Sequence, residues 1–192
     1  MREPQAAKLI IMTVGHSTRR WSDFLKTLRA HSIRRVVDIR TIPHSRHNPQ
    51  FDHKILSRKL RNARIGYVHL GDLGGLRRVR HNSQNMGWRN NSFRGFADYM
   101  QTAKFEEGIN RLMKLAAERK TAIMCAEAVP WRCHRSLVGD ALTIRGVRVE
   151  DIMSENRCRV HSLTTFARVS ETCITYPQEE TVNGYTKGND KH

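Results

Sequence analysis

The stretch Cys125-Ala-Glu127-Ala-Val-Pro130-Trp-Arg132-Cys133-His134-Arg135 packs two thiols, a carboxylate, an imidazole and two guanidinium groups into eleven residues. A thiol attacks and binds metals as its thiolate, which a helix N-terminus and neighbouring Arg or His⁺ favour. Cys133 has Arg132, His134 and Arg135 beside it and a helix expected to start close by. Cys125 ends an apolar run, where burial favours the neutral thiol, and Glu127 follows two residues later. A cysteine at a strand end ordinarily only packs. The crowding of Glu127, Cys133 and His134 around this one marks Cys125, Glu127, Cys133 and His134 as candidate catalytic residues. His16, in Gly15-His16-Ser17, joins them as an acid/base or an anion donor. The plainer reading of that tripeptide is a turn that caps a helix.

A second group of residues suits an anion. The Arg guanidinium makes bidentate contacts with phosphate or carboxylate, which nominates Arg40, Arg46 and Arg135. Small residues let backbone N–H groups approach an anion, which adds Ser17, Ser45, Gly74 and Gly75. Each has a plainer role: Asp38 and Arg40 can form a structural ion pair, and Gly74-Gly75 can be a simple turn. Cys125, Cys133, His134 and His16 could also form a zinc set. The short C-x-x-C spacing of such sites is missing, so neither a metal nor another cofactor is expected.

These residues need a scaffold, and the hydrophobic pattern supplies one. Leu9–Val14 (LIIMTV), Arg35–Arg40, Tyr67–Leu70, Thr121–Cys125 and Val147–Met153 read as strands. Helices are expected after Ser22, over about Asp52–Ala63, over about Phe96–Thr102, over Phe105–Arg119 and after Pro130 up to Gly146. Alternating strands and helices predict one α/β domain over residues 9–153: a mostly parallel sheet of about five strands with helices on both faces. Arg77–Arg94 has no period and reads as a long functional or mobile loop. After Ser154 no firm element is expected. Residues 154–192 read as a C-terminal extension that adds little to the core, disordered over Tyr176–His192. In open parallel sheets ligands bind at the carboxyl ends of the strands, and all four polar clusters fall there.

Charge narrows the ligand. The chain carries 34 Lys+Arg against 18 Asp+Glu, a net +16. The segment Ile39–Ala97 holds twelve basic residues against Asp52 and Asp72, which is +10 of that total, whereas the chain from Asp98 onward is nearly balanced. A local excess of this size attracts polyanions. No apolar run approaches the roughly 18–20 residues of a membrane span. Met1–Lys8 is short and polar, unlike a secretory signal. A cytoplasmic protein is expected, with four reduced cysteines and no membrane partner. A homo-oligomer is left open.

Thr13-Val-Gly-His-Ser17, Val37-Asp-Ile-Arg40 with Pro43 and Ser45, Leu73-Gly-Gly75, and Cys125-Ala-Glu127 with Pro130 and Cys133-His-Arg135 together resemble the bacterial and archaeal family catalogued as domain of unknown function 488. The resemblance runs over roughly Leu9 to Met153 and implies a compact intracellular α/β protein, without implying an activity. The position of Cys125 at a strand end is also similar to that of the cysteine in rhodanese and phosphatase domains. Here Glu127 and Pro130 stand in place of their glycine-rich cradle, so this likeness is analogy only. The residues themselves point to a protein that binds, and as a cysteine-dependent hydrolase or transferase acts on, a phosphorylated or nucleic-acid anion. The alternative is a non-catalytic nucleic-acid-binding module in which the cysteines are structural or redox-sensing. Trp88 and Phe93, interleaved with Arg89 and Arg94, would then stack on unpaired bases.

Overall fold

The structure is a computed structural model that describes residues 8–178. Six strands form the main sheet: β1 (Ile10–Gly15), β2 (Arg35–Asp38), β3 (Gly66–His69), β4 (Thr121–Cys125), β5 (Arg148–Ser154) and β6 (Arg157–Val160). Their order is β3-β2-β4-β1-β5-β6. The first five run parallel, and β6 pairs antiparallel with β5. Five helices cover the sheet: α1 (Trp21–Ala30), α2 (His53–Asn62), α3 (Asn91–Tyr99), α4 (Ala103–Glu118) and α5 (Arg135–Ile144). The expected α/β sheet with helices on both faces is therefore what the chain forms, with one antiparallel edge strand added. Among the described residues no helix is long and apolar enough to cross a membrane.

Because side chains alternate along a strand, each central strand feeds two cores. Met12 and Val14 of β1, with Ala122 and Met124 of β4, meet Phe24 and Leu28 of α1 and Leu56 and Leu60 of α2. Ile11 of β1, Val37 of β2 and Ile123 and Cys125 of β4 face the other way, onto α3, α4 and α5. The helices begin where capping chemistry allows. Asp52 accepts from the Lys54 N–H at 3.2 Å, Asn90 from Ser92 at 2.8 Å and Thr102 from Phe105 at 3.3 Å. The third helix therefore starts at Asn91, five residues before the expected Phe96, with Asn90 as its cap.

This layering places the site. The chain leaves β1 and β2 toward α1 and α2 on one face, and leaves β4, which lies between them, toward α5 on the other. Diverging connections open a crevice at the carboxyl ends of such strands. The register keeps those ends level: Gly15 lies opposite Cys125, and the Ile39 N–H donates to Met124 O at 3.0 Å.

The chain after Ser154 departs from expectation. Besides β6 it forms a small hairpin, β7 (Arg168–Ser170) with β8 (Cys173–Thr175). Ile174 and Tyr176 are buried in the core on the α5 side. The Tyr176 hydroxyl donates to Asp140 Oδ2 at 2.9 Å, the Thr164 hydroxyl donates to the same oxygen at 2.7 Å, and His161 Nε2 lies 2.8 Å from Asp140 Oδ1. A buried carboxylate needs such partners, and here three of them come from the segment expected to add little. The signal expectation at Met1–Lys8 lies almost wholly outside the described residues, and so does most of the disorder expectation at Tyr176–His192.

Candidate functional site

The carboxyl ends of β1, β2 and β4 open into a pocket of about 420 Å³. Its lining includes His16, Arg40, Ser45, Gly75, Cys125, Glu127, Cys133 and His134. Eight of the twelve candidates from the sequence thus meet at one cavity. The other four, Ser17, Arg46, Gly74 and Arg135, do not form its wall.

Cys125 closes β4 and Cys133 directly precedes His134, the residue that opens α5. The Cys133 Sγ lies 3.6 Å and the Cys125 Sγ 3.9 Å from His134 Nδ1. On its other side the ring meets the Ile39 carbonyl, with Nε2 at 3.1 Å. A carbonyl only accepts, so Nε2 carries the proton and Nδ1 presents a lone pair to both sulfurs. The Cys133 thiol is held well below its ordinary pKa, first by the Cys125 thiol beside it and then by His134, whose Nδ1 can take up the proton that Cys133 releases, and by Arg135, against the opposing effect of burial. Cys125 is pushed up correspondingly, by its hydrogen bond to Cys133 and by burial. Of the two thiols, Cys133 is therefore the one that gives up its proton more readily and Cys125 the one that keeps it. Glu127 is exposed at the pocket edge, and its carboxylate accepts from the Val129 N–H at 3.4 Å.

Gly75 explains part of the double glycine. A Cβ there would lie 2.6 Å from His134 Nδ1, so only glycine lets this loop close over the imidazole. Gly74 packs its backbone against Thr41 instead. At the other wall, a Cβ on Gly15 would fall 2.0 Å from Glu127 O. That contact fixes the β1 and β4 loops together. The His16 N–H donates to Cys125 O at 3.0 Å and the Ser17 N–H to Ala126 O at 2.8 Å. Ser17 sits in the left-handed region, φ 47°, and serves this loop contact.

Arg40 is a buried cation at the pocket wall. Its Nε donates to Asp38 Oδ1 at 2.9 Å and its Nη2 to Asp38 Oδ2 at 2.6 Å, with a further bond from Nη2 to Phe51 O at 2.9 Å. The Tyr67 hydroxyl also donates to Asp38, at 2.7 Å. His16 completes the frame. Its Nδ1 lies 2.8 Å from Ser17 O and therefore carries the proton, which leaves Nε2 to accept from Arg40 Nη1 at 3.3 Å. The ring stacks on Phe51 at 4.2 Å, and burial above all brings its pKa down to about 4. His16 is thus a neutral support for Arg40 at physiological pH, with both ring nitrogens occupied. Of the five guanidinium N–H groups, one on Nη1 is left for a ligand.

Arg135 is the largest fully buried side chain, 1 % exposed. Its Nη2 donates to Glu127 O at 2.7 Å and to Ala128 O at 3.3 Å. It braces the loop that carries Glu127 rather than reaching the cavity. Arg46 is exposed and lies off the pocket lining. Ser45 does line it, and its hydroxyl accepts from the Asn48 N–H at 3.1 Å.

Sequence reasoning missed the apolar lip. Ile42 and Leu76 are 63 % and 67 % exposed and flank the cavity together with Phe93. Their signal was a bulky aliphatic residue standing alone in a polar, basic loop. Arg132, also on the lining, is exposed and forms no ion pair with the described residues. Trp88 goes the other way from the base-stacking expectation. Its ring packs against Phe93, Phe166 and Tyr176 at 4.8, 5.0 and 5.5 Å, within the protein.

No curated protein and no solved structure matches the chain. One family does, over residues 20–142, a span that takes in Arg40, Gly74-Gly75 and the whole Cys125–Arg135 stretch. This chain belongs to that family, described as domain of unknown function DUF488.

Proposed function

We propose that the protein binds a small phosphorylated or similarly anionic ligand that also has an apolar portion, and acts on it at the Cys125–Cys133–His134 centre. The observation that carries this reading is convergence. Two sulfurs and an imidazole lone pair sit on one wall of a cavity that also offers the spare Nη1 hydrogen of Arg40 and the exposed guanidinium of Arg132. Arg40 is fixed in advance by Asp38, Tyr67, Phe51 and His16, so an anion meets a donor that has no rotamer freedom left to lose. The apolar portion lies against Ile42, Leu76 and Phe93. A sulfur with an imidazole acceptor at hydrogen-bond range is the arrangement of nucleophilic hydrolysis and group transfer. Glu127, solvated at the edge, is the carboxylate available for proton transfer there.

Calorimetric titration tests the binding half. Adenosine monophosphate should bind more tightly than either adenosine or inorganic phosphate, and Arg132→Ala should weaken the monophosphate about 10-fold with little effect on adenosine. Equal affinity for adenosine and its monophosphate would remove the anion from the proposal.

A specific observation favours nucleic acid as the source of that anion. The segment that supplies Arg40, Ser45, Gly75 and the apolar lip is the one that carries +10 of the chain's charge. A backbone running over that segment would place a terminal or flipped-out nucleotide at the pocket.

A further inference from the structure

We infer that Cys125, Cys133 and His134 form a binding site for a thiophilic divalent cation, zinc in the first instance, with its fourth coordination position open to the pocket. The inference rests on the same site as the proposed function and changes how that centre acts: with the ion bound, the two sulfurs and the imidazole are its ligands, and the open position rather than a free thiol meets the substrate. Cys125 Sγ, Cys133 Sγ and a His134 ring nitrogen all lie within 4.8 Å of one another. In a tetrahedral zinc site, Zn–S of about 2.3 Å and Zn–N of about 2.0–2.1 Å put sulfur and nitrogen donors about 3.6 Å apart. The structure has 3.6 and 3.9 Å for the two S···N pairs. Little movement is needed to seat the ion.

The imidazole is also oriented for a metal. Metal-binding histidines commonly donate their second ring N–H to a backbone carbonyl, which fixes the tautomer. His134 does this to Ile39 O at 3.1 Å, so the nitrogen aimed at the sulfurs is the one that carries a lone pair. Gly75, with no Cβ, keeps a side chain from pressing on that nitrogen. Two thiolates would neutralise the dication. The two-sulfur, one-nitrogen set selects zinc over magnesium or calcium, which prefer oxygen. All three side chains line the pocket, so the remaining position faces the cavity in which the anion is proposed to sit. A protein that supplies three ligands and keeps one position open has the pattern of catalytic rather than structural zinc. The set lacks short C-x-x-C spacing because the strand end and the helix start bring cysteines eight residues apart together.

The test is cobalt titration of the full-length, reduced, metal-free protein in a Cys158→Ser/Cys173→Ser background, since those two cysteines are exposed and could bind adventitiously. The expected result is one Co²⁺ per chain, with a thiolate-to-cobalt charge-transfer band and the visible bands of tetrahedral cobalt. Zinc should displace it. Cys125→Ser and Cys133→Ser should each weaken binding at least about 100-fold. If those variants fail to fold, zinc should still protect Cys125 and Cys133 of the unmutated protein from alkylation while Cys158 and Cys173 continue to label. Absence of stoichiometric uptake, or uptake without the thiolate band, overturns the inference. Monophosphate binding to the metal-free protein is measured alongside. If that persists without metal uptake, only the metal site is lost; if both fail, the reading of the pocket fails.

Discussion

Replacing His161 with Gln removes a charge that the fold holds between two carboxylates. His161 Nε2 lies 2.8 Å from Asp140 Oδ1 on α5, and Nδ1 lies 3.6 Å from Asp151 Oδ2 on β5. Its side chain is 8 % exposed. Burial by itself lowers the imidazole pKa, but the hydrogen bonds and charges of Asp140 and Asp151 outweigh it and raise the value from 6.5 to about 9. A raised pKa means that the folded state holds the proton more tightly than the unfolded chain. The associated stability is fully present below about pH 6.5 and is lost as pH rises through about 9. That difference corresponds to about 3 kcal/mol. The assay is urea unfolding of the wild type and His161→Gln at pH 6 and pH 10. The gap between the two proteins at pH 6 should shrink by about that amount at pH 10. Taking the difference between the proteins cancels the other groups that titrate in this range. A gap that does not change with pH would refute the charged-histidine account, and so would a wild type no more stable than the variant at pH 6.

Tyr176→Ala should destabilise the protein by about 3–5 kcal/mol in the same assay, because it empties a buried aromatic site and takes a donor from Asp140. Gly75→Ala should leave the unfolding midpoint within a few degrees while weakening cobalt uptake or monophosphate binding about 10-fold or more, since the new methyl must displace the His134 ring. Binding of a labelled oligonucleotide should weaken linearly in log–log form with salt, at about 0.9 per neutralised phosphate on duplex DNA. No binding at low salt would remove nucleic acid from the ligand classes.

The sheet and its helices were legible because the central strands are continuous apolar runs and the covering helices keep one apolar face. LIIMTV and TAIMC can be little else than buried strands, and Phe105, Ile109, Leu112 and Ala116 repeat at helical spacing. The last strands were not legible for the converse reason. Both Arg157–Val160 and Arg168–Ser170 are exposed along their whole length, so they carry no buried alternation. Among the described residues of that segment only Ile174 and Tyr176 are apolar and buried, and two residues set no period. Within the site, the reactive side chains declared themselves by type, but their directions did not. Arg135 and Arg40 look alike in sequence. The helix start turns Arg135 inward onto the Glu127 and Ala128 carbonyls, while Asp38 and His16 hold Arg40 at the cavity wall. Ile42 and Leu76 carried no polar signature, so their role at the lip emerged only from their exposure beside the pocket.

The central claim is that the Cys125–Cys133–His134 centre is chemically active and lies in the anion pocket. Brief iodoacetamide labelling of the reduced, metal-free protein between about pH 6 and 8, read by peptide mass spectrometry, tests it most directly, because an unperturbed thiol with a pKa near 8.5 labels slowly at the acid end. Cys133 should label first at pH 6, ahead of the exposed Cys158 and Cys173, and adenosine monophosphate should slow Cys133 alone. Labelling confined to Cys158 and Cys173 at every pH, or labelling of Cys133 that no anion slows, would contradict it.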